Sequence, residues 1–282
     1  MKCAWEAYLN LLPIWMRREV DVQGKDSLQE LRLRLNNPPE LVTRKGSVWL
    51  NRNATKDDLG FCINAASAYS PWAAKTVAQG YITAAGGHRI GLCGRMSRAG
   101  ETTATITMPT SLCLRVARDF EGIGTQAAQV NTSILIIGRP GSGKTTLLRD
   151  IIRTKSEKGP GSVAVVDERG EIFPAIQDQM CFMTGKRTDV LTGCSKQQGI
   201  ESVLRTMNPE IIAVDEITAQ EDCQALIHAG WCGVKLLATA HAGNKMDLLS
   251  RSVYKPLIES NLFETLLILQ PDKTWKLERT PI

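Results

Sequence analysis

The chain has 282 residues, with 34 Lys and Arg against 29 Asp and Glu, 43% hydrophobic and 22% charged residues, a balance that supplies a core and excludes a disordered or collagen-like chain. No run approaches the ~18–20 uninterrupted apolar residues that span a bilayer, which argues against an integral membrane protein. The eight cysteines contain no Cys-x-x-Cys pair and there are three histidines, so neither a disulfide framework nor a zinc centre is expected and a reducing cytosol is the natural compartment.

The length suggests two domains. The apolar patch from Tyr8 to Met16 is interrupted by Asn10 and Pro13 and followed by Arg17 and Arg18, which is not the pattern of a signal peptide; residues 3–18 read instead as a short amphipathic helix. Leu31, Leu33 and Leu35 alternate with Arg32 and Arg34, the period-two signature of a half-buried strand. Thr55 with Asp57 and Asp58 predicts a helix start, and Ser70-Pro71 predicts another helix that stops at Gly80. Tyr81–Ala85, Arg89–Gly94, Thr102–Thr107 and Leu112–Val116 read as short strands between glycine-rich turns. This first part, residues 1–124, is expected to be a small α+β domain. It carries 16 basic and 11 acidic residues, whereas residues 125–282 carry 18 of each, so the whole positive excess lies there and reads as a solvated surface with a few functional arginines.

From about Asn131 the pattern changes to continuous apolar runs, Ile134–Ile137, Val163–Val166, Ile211–Val214 and Leu236–Ala238, alternating with helical segments. Such runs predict an α/β domain over 125–282, with a parallel sheet covered by helices on both faces.

Gly138-Arg139-Pro140-Gly141-Ser142-Gly143-Lys144-Thr145 fits G-x-x-x-x-G-K-[ST] and stands between an apolar strand and a helix that continues through Thr146. The glycines let the backbone wrap a phosphate with its N–H groups turned inward at a helix N-terminus. Lys144 is expected to neutralise the β- and γ-phosphates of ATP and the Thr145 hydroxyl to ligate Mg²⁺. Asp167-Glu168 and Asp215-Glu216 end the next two apolar runs, and in a parallel sheet both pairs fall at the carboxyl edge beside the phosphate loop. Asp215 is expected in the Mg²⁺ shell and Glu216 as the group that orients or deprotonates the attacking water. Thr239-Ala240-His241 ends a further strand at the same edge, where His241 can sense the γ-phosphate. For transition-state charge, Arg89, Arg95, Arg115, Arg118, Arg169 and Arg205 are the candidate arginine fingers.

Taken in order, the phosphate loop, the acidic box Val166-Asp167-Glu168-Arg169-Gly170-Glu171, the Asp215-Glu216 strand and the Thr239-Ala240-His241 box resemble the secretion-superfamily ATPases, the RecA-like motors of type II and type IV secretion. The run Gly185-Lys186-Arg187-Thr188-Asp189-Val190-Leu191, then Gly193-Cys194, Lys196 and Gly199, and Leu204-Arg205-Thr206-Met207-Asn208-Pro209, resembles a sporulation branch of that superfamily, as do Glu30–Arg34 and Gly86–Gly91. The resemblance implies a RecA-like P-loop domain and a homo-oligomer in the form of a hexameric ring. It also implies membrane-embedded partners in a secretion-like channel at the membrane facing the developing spore. Carried onto this sequence, it assigns Lys144, Glu168, Glu216 and His241 to catalysis, residues 138–146 to nucleotide, and Thr145, Asp167 and Asp215 to the metal. Thr218 and Ala242 stand where glycine is expected.

Three rival readings compete, one of them a non-enzymatic scaffold whose ATP binding would be indifferent to Glu216. Asp167–Gly170 matches D-x-x-G and Asn244-Lys245-Met246-Asp247 matches N-K-x-D, the motifs of a GTPase. Only about one helix and a turn separate the phosphate loop from Asp167, however, which leaves no room for a long switch segment. A nucleic-acid-dependent ATPase accords with the basic first domain, but aromatic residues are only 5% of the chain, too few to form base-stacking platforms.

Overall fold

The computed structural model describes residues 1–67, 80–97, 105–159, 161–176 and 179–279. They form two compact units, Met1–Asp119 with Pro174–Cys181, and Phe120–Phe173 with Phe182–Ile282.

In the first unit, the expected helix over residues 3–18 is two helices, α1 (Trp5–Asn10) and α2 (Ile14–Ser27). They are divided at Pro13, which fits the start of a helix but cannot continue one, because it has no backbone N–H to donate. Tyr8, Leu12, Met16 and Val20 are fully buried and pack with Leu31 and Leu33 of β1 (Leu28–Arg34) in one core. On the other face of β1, Arg32 pairs with Glu30 and Arg34 with Glu40, each at 2.8 Å, so the alternation read from the sequence is present. Strands β2 (Glu40–Thr43) and β3 (Gly46–Trp49) follow. Helix α3 (Lys56–Ser67) starts at Thr55 through a reciprocal cap: the Asp58 N–H donates to Thr55 Oγ1 at 3.2 Å and the Thr55 N–H to Asp58 Oδ2 at 2.8 Å. The helix expected from Ser70 lies almost wholly outside the described residues.

Strands β4 (Tyr81–Ala84), β5 (His88–Ser97) and β6 (Thr105–Arg115) complete an antiparallel sheet in the order β3-β2-β1-β6-β5-β4. Of the strands expected over 102–107 and 112–116, residues 102–104 lie outside the described residues, and 105–107 and 112–115 belong to one strand, β6. It runs through Pro109 because its partner there is Gly94, where the register shifts and a Cβ would collide with the Met108 carbonyl. His88 is structural: its Nδ1 accepts the Ala117 N–H at 3.0 Å and its Nε2 lies 2.9 Å from the Ala4 carbonyl. The small hairpin β9 (Ala175–Ile176) and β10 (Gln179–Met180) belongs to this unit.

The second unit is a seven-stranded sheet in the order β11-β8-β12-β13-β7-β14-β15. Its strands are β7 (Ile134–Gly138), β8 (Val163–Asp167), β11 (Thr188–Thr192), β12 (Ile211–Val214), β13 (Lys235–His241), β14 (Thr265–Leu269) and β15 (Trp275–Arg279). Every neighbouring pair is parallel except β14 and β15, so one antiparallel edge strand modifies the parallel sheet read from the sequence. Alternate residues of β7 enter different cores: Leu135 and Ile137 pack in one, Ile134 and Ile136 in the other. This double burial is why the strand reads as a continuous apolar run. Helix α4 (Lys144–Lys158) covers one face with Leu147, Leu148, Ile151 and Ile152. Helices α5 (Lys196–Thr206) and α6 (Gln220–Trp231) cover the other with Ile200, Val203, Cys223 and Leu226, joined by the short α7 (Lys245–Ser250) and α8 (Lys255–Glu259).

The observed division at Asp119/Phe120 precedes the expected one at 124/125. The intervening segment is held by α4: the Gly122 and Gly124 N–H groups donate to the two carboxylate oxygens of Asp150 at 3.2 and 2.6 Å. No helix among the described residues is long and apolar enough to cross a membrane.

Candidate functional site

The site is organised by the position of β13 between β7 and β12. In register, His241 stands beside Gly138 and Ala238 beside Val214, so Thr239, Asp215 and Glu216 converge at the carboxyl edge where β7 passes into the phosphate loop. Gly141 and Gly143 have φ of 73° and 104°, a left-handed backbone that favours glycine, and α4 begins at the next residue, Lys144. Gly138 has a steric reason of its own, since a Cβ there would lie 2.5 Å from Ser142 Oγ and 3.0 Å from Leu269 Cβ.

Five of the residues expected in the site are joined by hydrogen bonds. Lys144 Nζ lies 3.0 Å from His241 Nδ1, and His241 Nε2 lies 2.8 Å from Glu216 Oε1. A charged Lys144 can only donate, which leaves His241 Nδ1 as acceptor and its Nε2–H as donor to Glu216. Beside this chain, Thr145 Oγ1 donates to Asp215 Oδ2 at 2.7 Å. The Thr239 hydroxyl links the two carboxylate residues, donating to Asp215 Oδ1 and accepting the Glu216 N–H at 2.8 Å. Glu216 has φ of 45°, a strained conformation for a side-chain-bearing residue. It is secured by that bond and by the Ile217 N–H on the Thr239 carbonyl at 2.9 Å. Tyr254 closes the arrangement, its hydroxyl donating to the Ile217 carbonyl at 3.2 Å and accepting the His241 N–H at 3.3 Å.

Lys144 is almost fully buried, at 5% exposure, and burial pushes its ammonium below the ordinary lysine range, with Glu216 and Asp215 pulling the other way.

The acidic box has a different part. Asp167 is buried and accepts three backbone N–H groups, from Glu171 at 2.8 Å, Ile172 at 3.0 Å and Phe173 at 2.8 Å. Burial raises its carboxyl above the usual range and those three donors oppose the rise. Both oxygens thus accept N–H groups of the turn that follows and brace it. Glu168 faces the pocket it shares with Asp215 and Glu216, where Lys196 Nζ holds it at 2.8 Å.

Among the arginines, Arg169 lines that same pocket. Arg89 stacks over Tyr81 at 4.1 Å, Arg115 pairs with Glu30 at 3.4 Å, and Arg118 donates to the Lys25 carbonyl at 2.7 Å, all within the first unit. Arg95 lies on β5 and Arg205 in the last turn of α5. The N-K-x-D match is a helix cap: Asn244 Oδ1 accepts the Asp247 N–H at 2.9 Å, and Asp247 accepts the Gly243 N–H at 2.7 Å and pairs with Arg251 at 3.0 Å. Sequence reasoning did not find Tyr254 or the linking role of the Thr239 hydroxyl. Thr239 carried a signal in its place at the strand end next to His241, whereas Tyr254 carried none.

This is the fold of the RecA-like ATPases of the secretion superfamily, with a smaller domain on the N-terminal side. It matches the pilus retraction motor PilT with bound ADP at a TM-score of 0.61 and 12% identity, covering 96% of this chain and 84% of that one. It matches the ATPase DotB of Legionella pneumophila at 0.55 and 18%, covering 95% and 80%. Within that class the chain belongs to the family described as sporulation stage III, protein AA, whose model matches residues 6–276. It is 35% identical over 267 residues to stage III sporulation protein AA of Bacillus subtilis (strain 168), covering 90% of this chain and 86% of that protein.

Proposed function

We propose that this chain is a Mg²⁺-dependent ATP hydrolase of the secretion-motor type. It works as a homo-oligomer, a hexameric ring, to power or gate a sporulation-specific secretion-like channel whose membrane-embedded components are its partners. The observation that carries the reading is the convergence of Lys144, His241 and Glu216 with Thr145, Asp215 and Thr239 at one sheet edge.

In this reading the N–H groups of residues 138–146 and the Lys144 ammonium take the β- and γ-phosphates at the start of α4, where the helix dipole also favours anions. The Thr145 hydroxyl and Asp215 carboxylate, 2.7 Å apart, are hard oxygen donors of the kind Mg²⁺ takes while keeping several waters, and these two residues would hold it. Bound there, the ion supplies charge neutralisation between the phosphates. Glu216 orients the attacking water and accepts its proton, and its backbone geometry is set by Thr239. When phosphate takes up Lys144, His241 loses that partner and keeps Glu216, so the His241 ring links occupancy of the loop to the state of the base.

The N-K-x-D match gives guanine no support, because Asn244 and Asp247 are engaged at the start of α7. The test is Mg²⁺-dependent phosphate release from ATP and from GTP by wild type and Glu216→Gln across protein concentration. Selective ATP turnover that rises per molecule with concentration and drops about 100-fold or more in the variant supports a ring ATPase. A preference for GTP at constant specific activity overturns it.

A further inference from the structure

We propose that Lys196 is a positioning residue of the hydrolytic site, a single ammonium that sets the acidic-box loop and the Glu216 loop against each other. The inference rests on the ATP-hydrolase reading and adds to it a residue that touches neither the phosphate loop nor the Lys144-His241-Glu216 chain.

Lys196 is the first residue of α5, whose start is capped by Ser195 Oγ accepting the Gln198 N–H at 3.3 Å. The helix lies close against β8 because Gly199 faces Val166 and Cys194, where a Cβ would collide with Val166 and sit 3.0 Å from the Cys194 sulfur. That approach brings the Lys196 side chain, only 8% exposed, into the pocket lined by Asp167, Glu168, Asp215 and Glu216.

A buried ammonium is costly unless it is paired, and this one has two carboxylate partners, one on the acidic-box loop and one in the first turn of α6. Its Nζ lies 2.8 Å from Glu168 Oε2 and 3.6 Å from Asp222 Oδ2. The Asp222 oxygen in turn accepts the Thr218 N–H at 3.0 Å and the Ala219 N–H at 3.2 Å, the two donors that follow Ile217 in the turn holding Glu216. Glu168 adjoins Asp167, whose carboxylate sets the loop through Phe173. A displacement of Lys196 is therefore transmitted on one side to the acidic box and on the other to the strained residue that carries the base. A lysine serving only to balance surface charge needs neither the close helix-strand approach nor the second carboxylate.

The test compares wild type, Glu216→Gln, Lys196→Met, Lys196→Arg and Asp222→Asn for ATP turnover, ATP binding and thermal unfolding. Lys196→Met is expected to lower kcat about tenfold or more while KM and the Kd for ATP stay within about threefold, the mark of lost alignment and not lost binding. Lys196→Arg should recover most of that loss, and Asp222→Asn should reproduce it, giving an independent reading if the methionine variant does not fold. Lys196→Met and Asp222→Asn together should cost less than the sum of the two. A kcat for Lys196→Met within about twofold of wild type, or losses of kcat and ATP binding in equal measure without recovery by arginine, overturns the proposal. Wild type without turnover that depends on Glu216 overturns the ATP-hydrolase reading itself, whereas an active wild type indifferent to Lys196 removes only the positioning role.

Discussion

Thr145 and Asp215 lie 70 positions apart in the chain, yet the Thr145 hydroxyl donates to the Asp215 carboxylate at 2.7 Å. The bond joins the first turn of the phosphate-loop helix to the end of a strand that is not adjacent to β7, across the intervening β13. It brings two oxygen groups from distant parts of the chain together at the start of α4.

Thr145→Val keeps the shape and removes the hydroxyl. The Mg²⁺ concentration for half-maximal turnover should rise about tenfold or more, as expected for the loss of one of few direct protein donors. A magnesium titration of phosphate release measures this, and an unchanged midpoint would show that Thr145 is only a cap for Asp215.

Lys144 gives a prediction about pH. Its ammonium is held below the ordinary value by burial, so between its folded and unfolded values the unfolded chain binds more protons and stability rises with pH through that window. Below the window the burial penalty is present in full. Lys144→Met should therefore raise the nucleotide-free Tm at pH 7 by about 1–3 °C, and the gain should shrink as pH approaches the ordinary lysine value. The same variant should lose tight ATP binding. A lower Tm than wild type at pH 7 would mean that the His241 contact outweighs the burial of the charge.

Asp167 is assigned to the loop. Asp167→Ala leaves three backbone N–H groups without their acceptor, and urea unfolding should show a loss of about 2–4 kcal/mol. Unchanged stability with impaired Mg²⁺ dependence would return this carboxylate to the metal.

Asn244 caps α7 at 2.9 Å. Asn244→Ala should cost about 1 kcal/mol of stability and leave the ratio of ATP to GTP turnover unchanged. Parallel measurements with the two nucleotides decide the point, because a guanine reader would lose its discrimination with this side chain.

The sequence by itself determined the phosphate loop, since eight contiguous residues with glycines at the left-handed positions 141 and 143 specify their own backbone. It also determined the doubly buried strands β7, β8, β12 and β13, since a strand covered on both faces reads as a continuous apolar run over most of its length. The amphipathic β1 and the Thr55–Asp58 cap were legible for the same reason, being local in period or reach. Strand order is not local. That β13 separates β7 from β12, bringing Thr239 and His241 between Lys144 and Glu216, follows from helix packing over the whole sheet, and no residue announces it. The same holds for the bonds of Asn244 and Asp167 to the Asp247 and Phe173 N–H groups, which their motif matches do not reveal. It holds also for Lys196, which only the close approach of α5 to β8 places between two carboxylates.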